Sequence, residues 1–193
     1  VSELARYIMT DLKEFRKIQG DDTLGGMVIC ETSEQARRLY DVFQEEWQKY
    51  QPKPIKIKLS DGSYVVGEPE VDYKSKYRPL KAGIILHDTD DKETRKQIVK
   101  DFKKNMTVDI LIVFNMLLTG FDAPRLKRLY FGRKLKDHNL LQAITRVNRP
   151  YPGMRYGFVI DFADIKRNFK ETNEAYLQEL NRFNDVDETG ESA

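Results

Sequence analysis

Apolar residues occur in short runs between residues 25 and 162, and stretches with helical spacing separate these runs. The runs are Met27–Cys30, Ala82–His87, Asp109–Phe114, Lys127–Phe131 and Tyr156–Asp161. Each is nearly uniformly apolar, as a strand covered on both faces should be, and strands that alternate with helices are typical of a parallel sheet. The pattern therefore predicts an α/β fold with a mostly parallel sheet wrapped by helices.

Helical spacing is clearest after the first run, where apolar residues recur at intervals of three and four. These residues are Ala36, Tyr40, Phe43, Trp47 and Tyr50. Thr32 or Ser33 supplies the N-cap of this helix, and Trp47 is expected in the core. A later helix is predicted to turn Ile98 and Phe102 inward.

Both ends of the chain carry amphipathic patterns, which predict helices that pack outside the sheet. Apolar faces are formed by Leu4, Ile8, Leu12 and Phe15 near the start, and by Ile165, Phe169, Tyr176, Leu180 and Phe183 near the end. We expect a helix or linker over 1–20, a lobe over 21–162, a helical extension over 163–184 and a disordered tail over 185–193. The first residues look like a cut within a longer protein.

Prolines and glycines interrupt the alternation over 51–81, which we interpret as an insertion between the first and second strands. Ile55–Leu59 and Ser63–Val66 flank Ser60-Asp61-Gly62, so either a small hairpin or a mobile loop fits. Three tyrosines stand among lysines here and could stack on bases, or belong to a solvated surface: Tyr64, Tyr73 and Tyr77.

Composition narrows the possible partners. The chain has 193 residues and 40% hydrophobic content, enough for one well-formed core. Its 33 basic and 31 acidic side chains nearly cancel, so a polyanion must be met by a local patch. The single cysteine, Cys30, lies in an apolar run, which indicates a buried thiol and a reducing cytoplasm. No apolar stretch approaches the roughly 20 residues of a membrane span.

Acidic residues follow the second strand in the segment His87-Asp88-Thr89-Asp90-Asp91. Carboxylates in the first turn of a helix complement its dipole, which explains the cluster without a metal. A metal site is the alternative, although the loop has neither the glycine nor the closing glutamate of a calcium site.

The most informative segment is Gln142–Arg149, in which Arg146 and Arg149 stand three residues apart. On a helix they share one face, so both guanidinium groups could reach a single phosphate. Two solvated arginines on a basic helix are the alternative. The chain has no Gly-x-x-x-x-Gly-Lys-Ser/Thr sequence, so we expect it to sense a triphosphate without holding one by itself.

Two further segments follow predicted strands, where open α/β sheets place ligands. Thr32 and Ser33 offer hydroxyl and amide groups that can hold a backbone phosphate, although they also read as an ordinary cap. In Leu118–Pro124, Gly120 permits close backbone approach. Asp122 could accept hydrogen bonds from a ribose or could simply cap the turn.

Together, Val28–Thr32, Asp109–Pro124 and Gln142–Arg149 resemble motifs IV, V and VI of superfamily 2 helicases, in that order. Leu-Leu-Thr-Gly-Phe-Asp-Ala-Pro followed by Leu-Leu-Gln-Ala-Ile-Thr-Arg-Val-Asn-Arg is most similar to the motor subunit of type I restriction-modification enzymes. The resemblance implies a RecA-like three-layer sandwich, the second lobe of an enzyme that uses ATP to pull double-stranded DNA before cutting it. It also implies that ATP and Mg²⁺ are held mainly by a first lobe. The other partners that it implies are a nuclease domain of the same subunit and separate methyltransferase and specificity subunits.

The resemblance also implies roles for individual residues. Arg146 and Arg149 would face the γ-phosphate, with Arg149 the better candidate for an arginine finger. Gln142 would lie near the nucleotide, and Gly120 and Asp122 near the ribose or the cleft between lobes. The DNA backbone would be contacted by Thr32, Ser33 and Thr119.

Several positions depart from the DEAD-box branch of the superfamily. Thr145 and Asn148 replace glycines around the arginines, and Phe114 replaces a threonine that contacts nucleic acid. These departures argue against an RNA helicase of that type and leave Thr119 open, because those relatives carry arginine there. The alternatives are another superfamily 2 DNA helicase or remodeller, a non-catalytic RecA-like domain that binds DNA or protein, and a nucleotide-sugar enzyme.

Overall fold

The computed structural model describes residues 1–50, 55–58, 63–67, 78–86, 91–114, 121–135, 137–162 and 174. Its elements, in chain order, are α1 (Ser2–Gln19), β1 (Gly25–Ile29), α2 (Ser33–Tyr50), β2 (Ile55–Lys58), β3 (Tyr64–Gly67), β4 (Ala82–Ile85), α3 (Lys92–Lys100), a π-helical turn (Asp101–Asn105), β5 (Ile110–Val113), β6 (Leu126–Phe131), α4 (Asp137–Val147) and β7 (Phe158–Asp161).

The main sheet has five strands in the order β4-β5-β1-β6-β7, and every neighbouring pair is parallel. All the strands predicted from apolar runs are confirmed, with ends shifted by at most two residues. Of the two alternatives for the segment between Ile55 and Val66, the hairpin is confirmed as the antiparallel pair β2 and β3. Tyr73 and Tyr77 lie outside the described residues.

Side chains of the central strand β1 alternate between two cores. Met27 and Ile29 pack on one side of the sheet, in the cluster that includes residues of α4 and the π-helical turn. Val28 and Cys30 pack on the other side with α1 and α2. Helices therefore cover both faces, which confirms the three-layer sandwich and explains why the strand sequences are apolar throughout. Burial raises the pKa of the Cys30 thiol to about 12, as expected for an inert, buried cysteine.

Helix α1 buries its predicted apolar face, including Ile8 and Leu12, against the same core as α2. It ends at Gly20, whose φ of 67° is a left-handed conformation that glycine adopts without strain. The first helix is thus packed directly on the sheet. The predicted helix over 163–184 and tail over 185–193 lie outside the described residues, except for Glu174.

Helix α2 differs from its predicted stripe. It buries Ala36, Leu39 and Phe43, whereas Trp47 is only half-buried, so the prediction of Trp47 as a core residue is wrong. Trp47, one turn beyond Phe43, lies beside two charged side chains. The guanidinium of Arg78 and the ammonium of Lys81 lie 5.8 and 5.9 Å from the indole centroid.

Helix α3 begins at an acidic cap, as predicted. The Asp91 carboxylate accepts a hydrogen bond from the Thr94 N–H at 2.7 Å. Ile98 packs against the core, and Phe102, in the π-helical turn, is fully buried. His87, Asp88 and Asp90 fall outside the described residues, and within the described part no three His, Cys, Asp or Glu side chains group as metal ligands. No helix among these residues is long and apolar enough to cross a membrane.

Candidate functional site

The two arginines do not share a helix. Arg146 lies in the last turn of α4, but the helix ends at Val147, so Arg149 stands two residues beyond it. The prediction that both lie on one helical face is therefore wrong. Pro150 accounts for the difference, because the residue before a proline is disfavoured in helical conformation.

Both arginines nevertheless reach the same loop. Arg146 Nη1 donates to the carbonyl oxygen of Phe121 at 2.9 Å, and Arg149 Nε lies 3.4 Å from Asp122 Oδ1. Phe121 is buried and packs near the Phe102 ring, with 6.0 Å between centroids, which anchors the loop in the core. The structure thus brings together three predicted site residues.

Of the other residues predicted for this cluster, only Gln142 lies within the described part of the chain. Gln142 lies four residues before Arg146 on α4, so the two share one helical face. Gly120 and Thr119 lie outside the described residues. Thr145 donates through its hydroxyl to the Gln142 carbonyl oxygen, a contact within α4.

The pair formed by Arg149 and Asp122 is a surface contact, with side chains 45% and 59% exposed. Pairs of this kind contribute about 0 to 1 kcal/mol. Arg149 can therefore exchange the carboxylate for another anion at little cost. Asp122 acts here as the partner of the candidate finger residue, an arrangement that the sequence did not indicate.

The arginine cluster lies at the edge of the sheet opposite to the one predicted. Asp122 precedes β6 by four residues, and α4 runs back across the sheet after β6 ends. Lys127, the second residue of β6, donates to the Val147 carbonyl at the end of α4. Arg146, Arg149 and Asp122 therefore lie near the amino-terminal end of β6 and not at the carboxyl ends of the strands. A helix that follows a parallel strand runs back to the opposite edge of the sheet, so residues at its end lie beside the amino-terminal ends of the strands.

The end of α4 is pressed against the chain that enters β7. Asn148 Oδ1 accepts a hydrogen bond from the Gly157 N–H at 3.2 Å. A Cβ on Gly157 would overlap the Val147 side chain and carbonyl, with the carbonyl carbon 2.7 Å away. Asn148, which replaces a glycine of DEAD-box helicases, thus ties the segment that carries Arg149 to the sheet.

The carboxyl ends of the strands hold a second group of residues. Thr32 Oγ1 accepts the Gln35 N–H at 3.0 Å and so caps α2, and Ser33 is the first residue of that helix. Gly132 donates its N–H to the Ile29 carbonyl at 2.8 Å, which holds the loop after β6 beside the end of β1. A Cβ at Gly132 would lie 2.9 Å from that oxygen.

Arg133 was not predicted as a site residue. Its guanidinium lies 5.7 Å from the centroid of the Phe114 ring, so the phenylalanine that replaces a threonine carries a cation. Burial lowers the pKa of Arg133, and the next residue, Lys134, is exposed. The available signal was Gly132-Arg133-Lys134 directly after a strand. This basic loop and Thr32 lie about 20 Å from the arginine cluster, the length of the six residues of β6.

Solved structures with this fold include helicase lobes. The second domain of the Mss116p DEAD-box helicase bound to an RNA duplex matches with a TM-score of 0.55 and 17% identity, over 89% of this chain and 56% of that chain. S. cerevisiae Dbp5 L327V bound to RNA and ADP BeF3 matches with a TM-score of 0.54 and 16% identity, over 88% of this chain and 34% of that chain. The chain therefore has the fold of a RecA-like helicase lobe.

Sequence comparison gives the family. The model of type I restriction enzyme subunit R domain 3 matches residues 23–164, and the chain belongs to this family. The MjaIXP endonuclease subunit of Methanocaldococcus jannaschii is 28% identical over 89% of this chain and 15% of that protein. The SauCOLORF180P endonuclease subunit of Staphylococcus aureus is 41% identical over 46% of this chain and 9% of that protein. The matches span 8 to 15% of the length of such relatives, and they confirm the resemblance inferred from motifs V and VI.

Proposed function

We propose that this chain is the second RecA-like lobe of a type I restriction motor subunit and that it couples ATP hydrolysis to translocation of double-stranded DNA. The observation that carries the proposal is the arginine cluster: Arg146 and Arg149 both contact the loop at Phe121 and Asp122, and Arg149 is half-exposed in a weak pair. The family and the fold support the same function.

The arginine cluster can pair with the negative charge of a triphosphate, but it does not enclose the triphosphate by itself. Two guanidinium groups that meet at one loop offer forked donors to phosphate oxygens. ATP and Mg²⁺ would be held mainly by the first RecA-like lobe, and ATP supplies the phosphoryl group that is transferred to water. Arg149 would leave Asp122 and place its positive charge where negative charge accumulates, which is the role of an arginine finger.

The other residues of the cluster have supporting roles in this proposal. Arg146 would contact the same phosphates while its bond to the Phe121 carbonyl keeps it in place. Asp122, once released by Arg149, has a carboxylate able to accept hydrogen bonds from a ribose, and Gly120 would allow the nucleotide to approach the backbone. Gln142, on the same face of α4 as Arg146, would sense the nucleotide.

Double-stranded DNA would bind at the opposite edge of the sheet. Thr32 and Ser33 would contribute hydroxyl and amide contacts to phosphates there, together with the basic loop at Arg133. Thr119, which lies outside the described residues, would also contact the DNA backbone. A net charge of only +2 makes such a local cationic group necessary for binding a polyanion. Contacts of this kind fix position and carry no sequence information, so target recognition would belong to the specificity subunit. The nuclease domain of the same subunit and the methyltransferase subunits would complete the enzyme.

The test is Arg149→Ala in the full motor subunit. Loss of an arginine finger reduces turnover by about 10³ to 10⁵-fold, so ATP hydrolysis and translocation should fall to that extent while nucleotide and DNA binding are retained. Arg155→Ala is the matched control, because Arg155 is exposed six residues further along the chain. Wild-type translocation by the Arg149 variant would refute the finger assignment.

A further inference from the structure

Strand β6 contains an irregularity at its second residue. Gly25 pairs with Leu126 and Gly26 pairs with Arg128, so Lys127 is an extra residue without a partner in β1. Bulges of this kind redirect a side chain and are common beside functional sites. Leu126 and Arg128, on either side of the bulge, pair with β1, and β7 pairs with β6 over Arg128–Phe131, so the bulge changes where one side chain points.

The redirected side chain is a fully buried lysine. Lys127 is 0% exposed, and its ammonium donates to the carbonyl oxygens of Val147, at 3.3 Å, and of Arg149. Burial alone lowers the pKa of Lys127. A buried ammonium is costly unless hydrogen bonds compensate it, so these two carbonyl groups stabilise Lys127, and the centroid of the Tyr151 ring lies 5.9 Å from the ammonium.

The two acceptors belong to the short segment that carries the arginine pair. Val147 follows Arg146 directly and is the last residue of α4, and the second acceptor is the backbone of Arg149 itself. Carbonyl groups at the end of a helix have no partner within the helix, and a lysine can satisfy them. The ammonium therefore fixes the path of the backbone from the end of α4 to the candidate finger residue.

We propose that Lys127 is a positioning residue for the arginine pair, because its ammonium clamps the Val147 and Arg149 carbonyls and so sets where the Arg149 guanidinium leaves the backbone. The inference rests on the proposed function and extends it to a residue that contacts neither nucleotide nor DNA. The segment after α4 is also held by the bond from the Gly157 N–H to Asn148, by the exposed pair of Arg149 with Asp122 and by the Tyr151 hydroxyl, which contacts Asp21. The clamp is the contact that holds the backbone of Arg149.

The experiment is Lys127→Met in the full motor subunit, with ATP and a linear duplex as probes. A misplacement of about 1 Å in a reacting group costs about 10²-fold in rate, so kcat for DNA-stimulated ATP hydrolysis should fall by roughly that factor. KM for ATP and the affinity for the duplex should stay within about threefold, because Lys127 contacts neither. Lys104→Met, at an exposed lysine, is the matched control and should match the wild type.

A second arm tests whether Lys127 acts through Arg149. In the Arg149→Ala variant, adding Lys127→Met should cause no further loss of the residual turnover measured with radiolabelled ATP, because residues that act as one unit are not additive. A further loss of about 10²-fold would show a general structural effect and overturn the proposal. If Lys127→Met loses duplex binding through misfolding, Lys127→Gln replaces it with the same readouts.

The outcomes separate the two proposals. Wild-type kcat in the folded Lys127 variant, with an inactive Arg149→Ala variant, would overturn the positioning role and leave the proposed function standing. Wild-type turnover in Arg149→Ala would overturn the finger and the positioning role together. A reduced kcat with unchanged KM and duplex affinity, absent in the Arg149→Ala background, would support both.

Discussion

Asp109 offers a sharp test of how the amino-terminal edge of the sheet is held. It directly precedes β5 and is 1% exposed. Its Oδ1 accepts from Arg16 Nη2 at 2.8 Å, and its Oδ2 accepts from the Lys81 N–H at 2.8 Å and from Arg78 at 3.2 Å. Asp109→Asn keeps the shape of the side chain and removes its charge, which leaves the buried Arg16 guanidinium without a counter-ion.

The expected loss follows from the burial of both partners. Removing one partner of a buried ion pair costs about 3 to 5 kcal/mol. For a domain of this size, that corresponds to a fall in Tm of roughly 6 to 20 °C. The exposed pair between Arg38 and Glu34, with side chains 66% and 72% exposed, provides a matched control. Glu34→Gln should cost only about 0.3 to 0.5 kcal/mol.

The assay is urea unfolding of the wild-type chain and the two variants, followed by circular dichroism. The free energy of unfolding should fall for Asp109→Asn while the dependence on urea concentration stays constant, which shows that the unfolded state is unchanged. A loss below about 1 kcal/mol would mean that the bond from Arg16 Nε to the Leu24 carbonyl is sufficient for the buried cation, and the reasoning from burial would be refuted.

Two further predictions concern the site edges. Gly157→Ala should destabilise the chain by about 1 to 3 kcal/mol and lower ATP turnover, because the new Cβ would displace the end of α4. Arg155→Ala, at an exposed position two residues earlier, should leave stability and turnover unchanged. Equal turnover in the two variants would contradict this. Arg133→Gln should weaken duplex binding for all sequences and reduce the slope of log K against log salt by about 1, measured by fluorescence anisotropy with Lys104→Gln as control. An unchanged slope would remove Arg133 from the DNA contacts.

Four of the five strands could be predicted because they are buried on both faces, whereas β7 is apolar in sequence but largely exposed. A run such as Asp109–Phe114 is apolar regardless of what packs on it, so its type follows from local sequence alone. The stripe of α2 was predicted less well, since Tyr40 and Trp47 are apolar enough to continue a pattern whose inward side is set by the sheet. The predicted stripe contained Tyr40 in place of the adjacent Leu39, which is the fully buried residue.

For the candidate site, the sequence indicated which side chains come together but not how the backbone arranges them. Arg146, Arg149 and Asp122 do come together, but Pro150 already limited the helix, and this signal was available in the sequence. Lys127 could not be found in the same way, because a bulge is a property of two paired strands and not of one segment. The contact of Arg133 with Phe114 likewise joins loops that follow different strands.

Strand β6 begins beside the arginine cluster and ends at the basic loop, and it is paired with β1 on one side and β7 on the other. Because β6 is hydrogen-bonded to β1 at Leu126 and to both neighbours from Arg128 to Phe131, it cannot shorten or bend independently of them. In the proposed function, a displacement of the arginine cluster is therefore transmitted as a movement of the whole sheet to the basic loop about 20 Å away, where DNA would bind. In that proposal, the length of a translocation step is set by how far the whole lobe rotates.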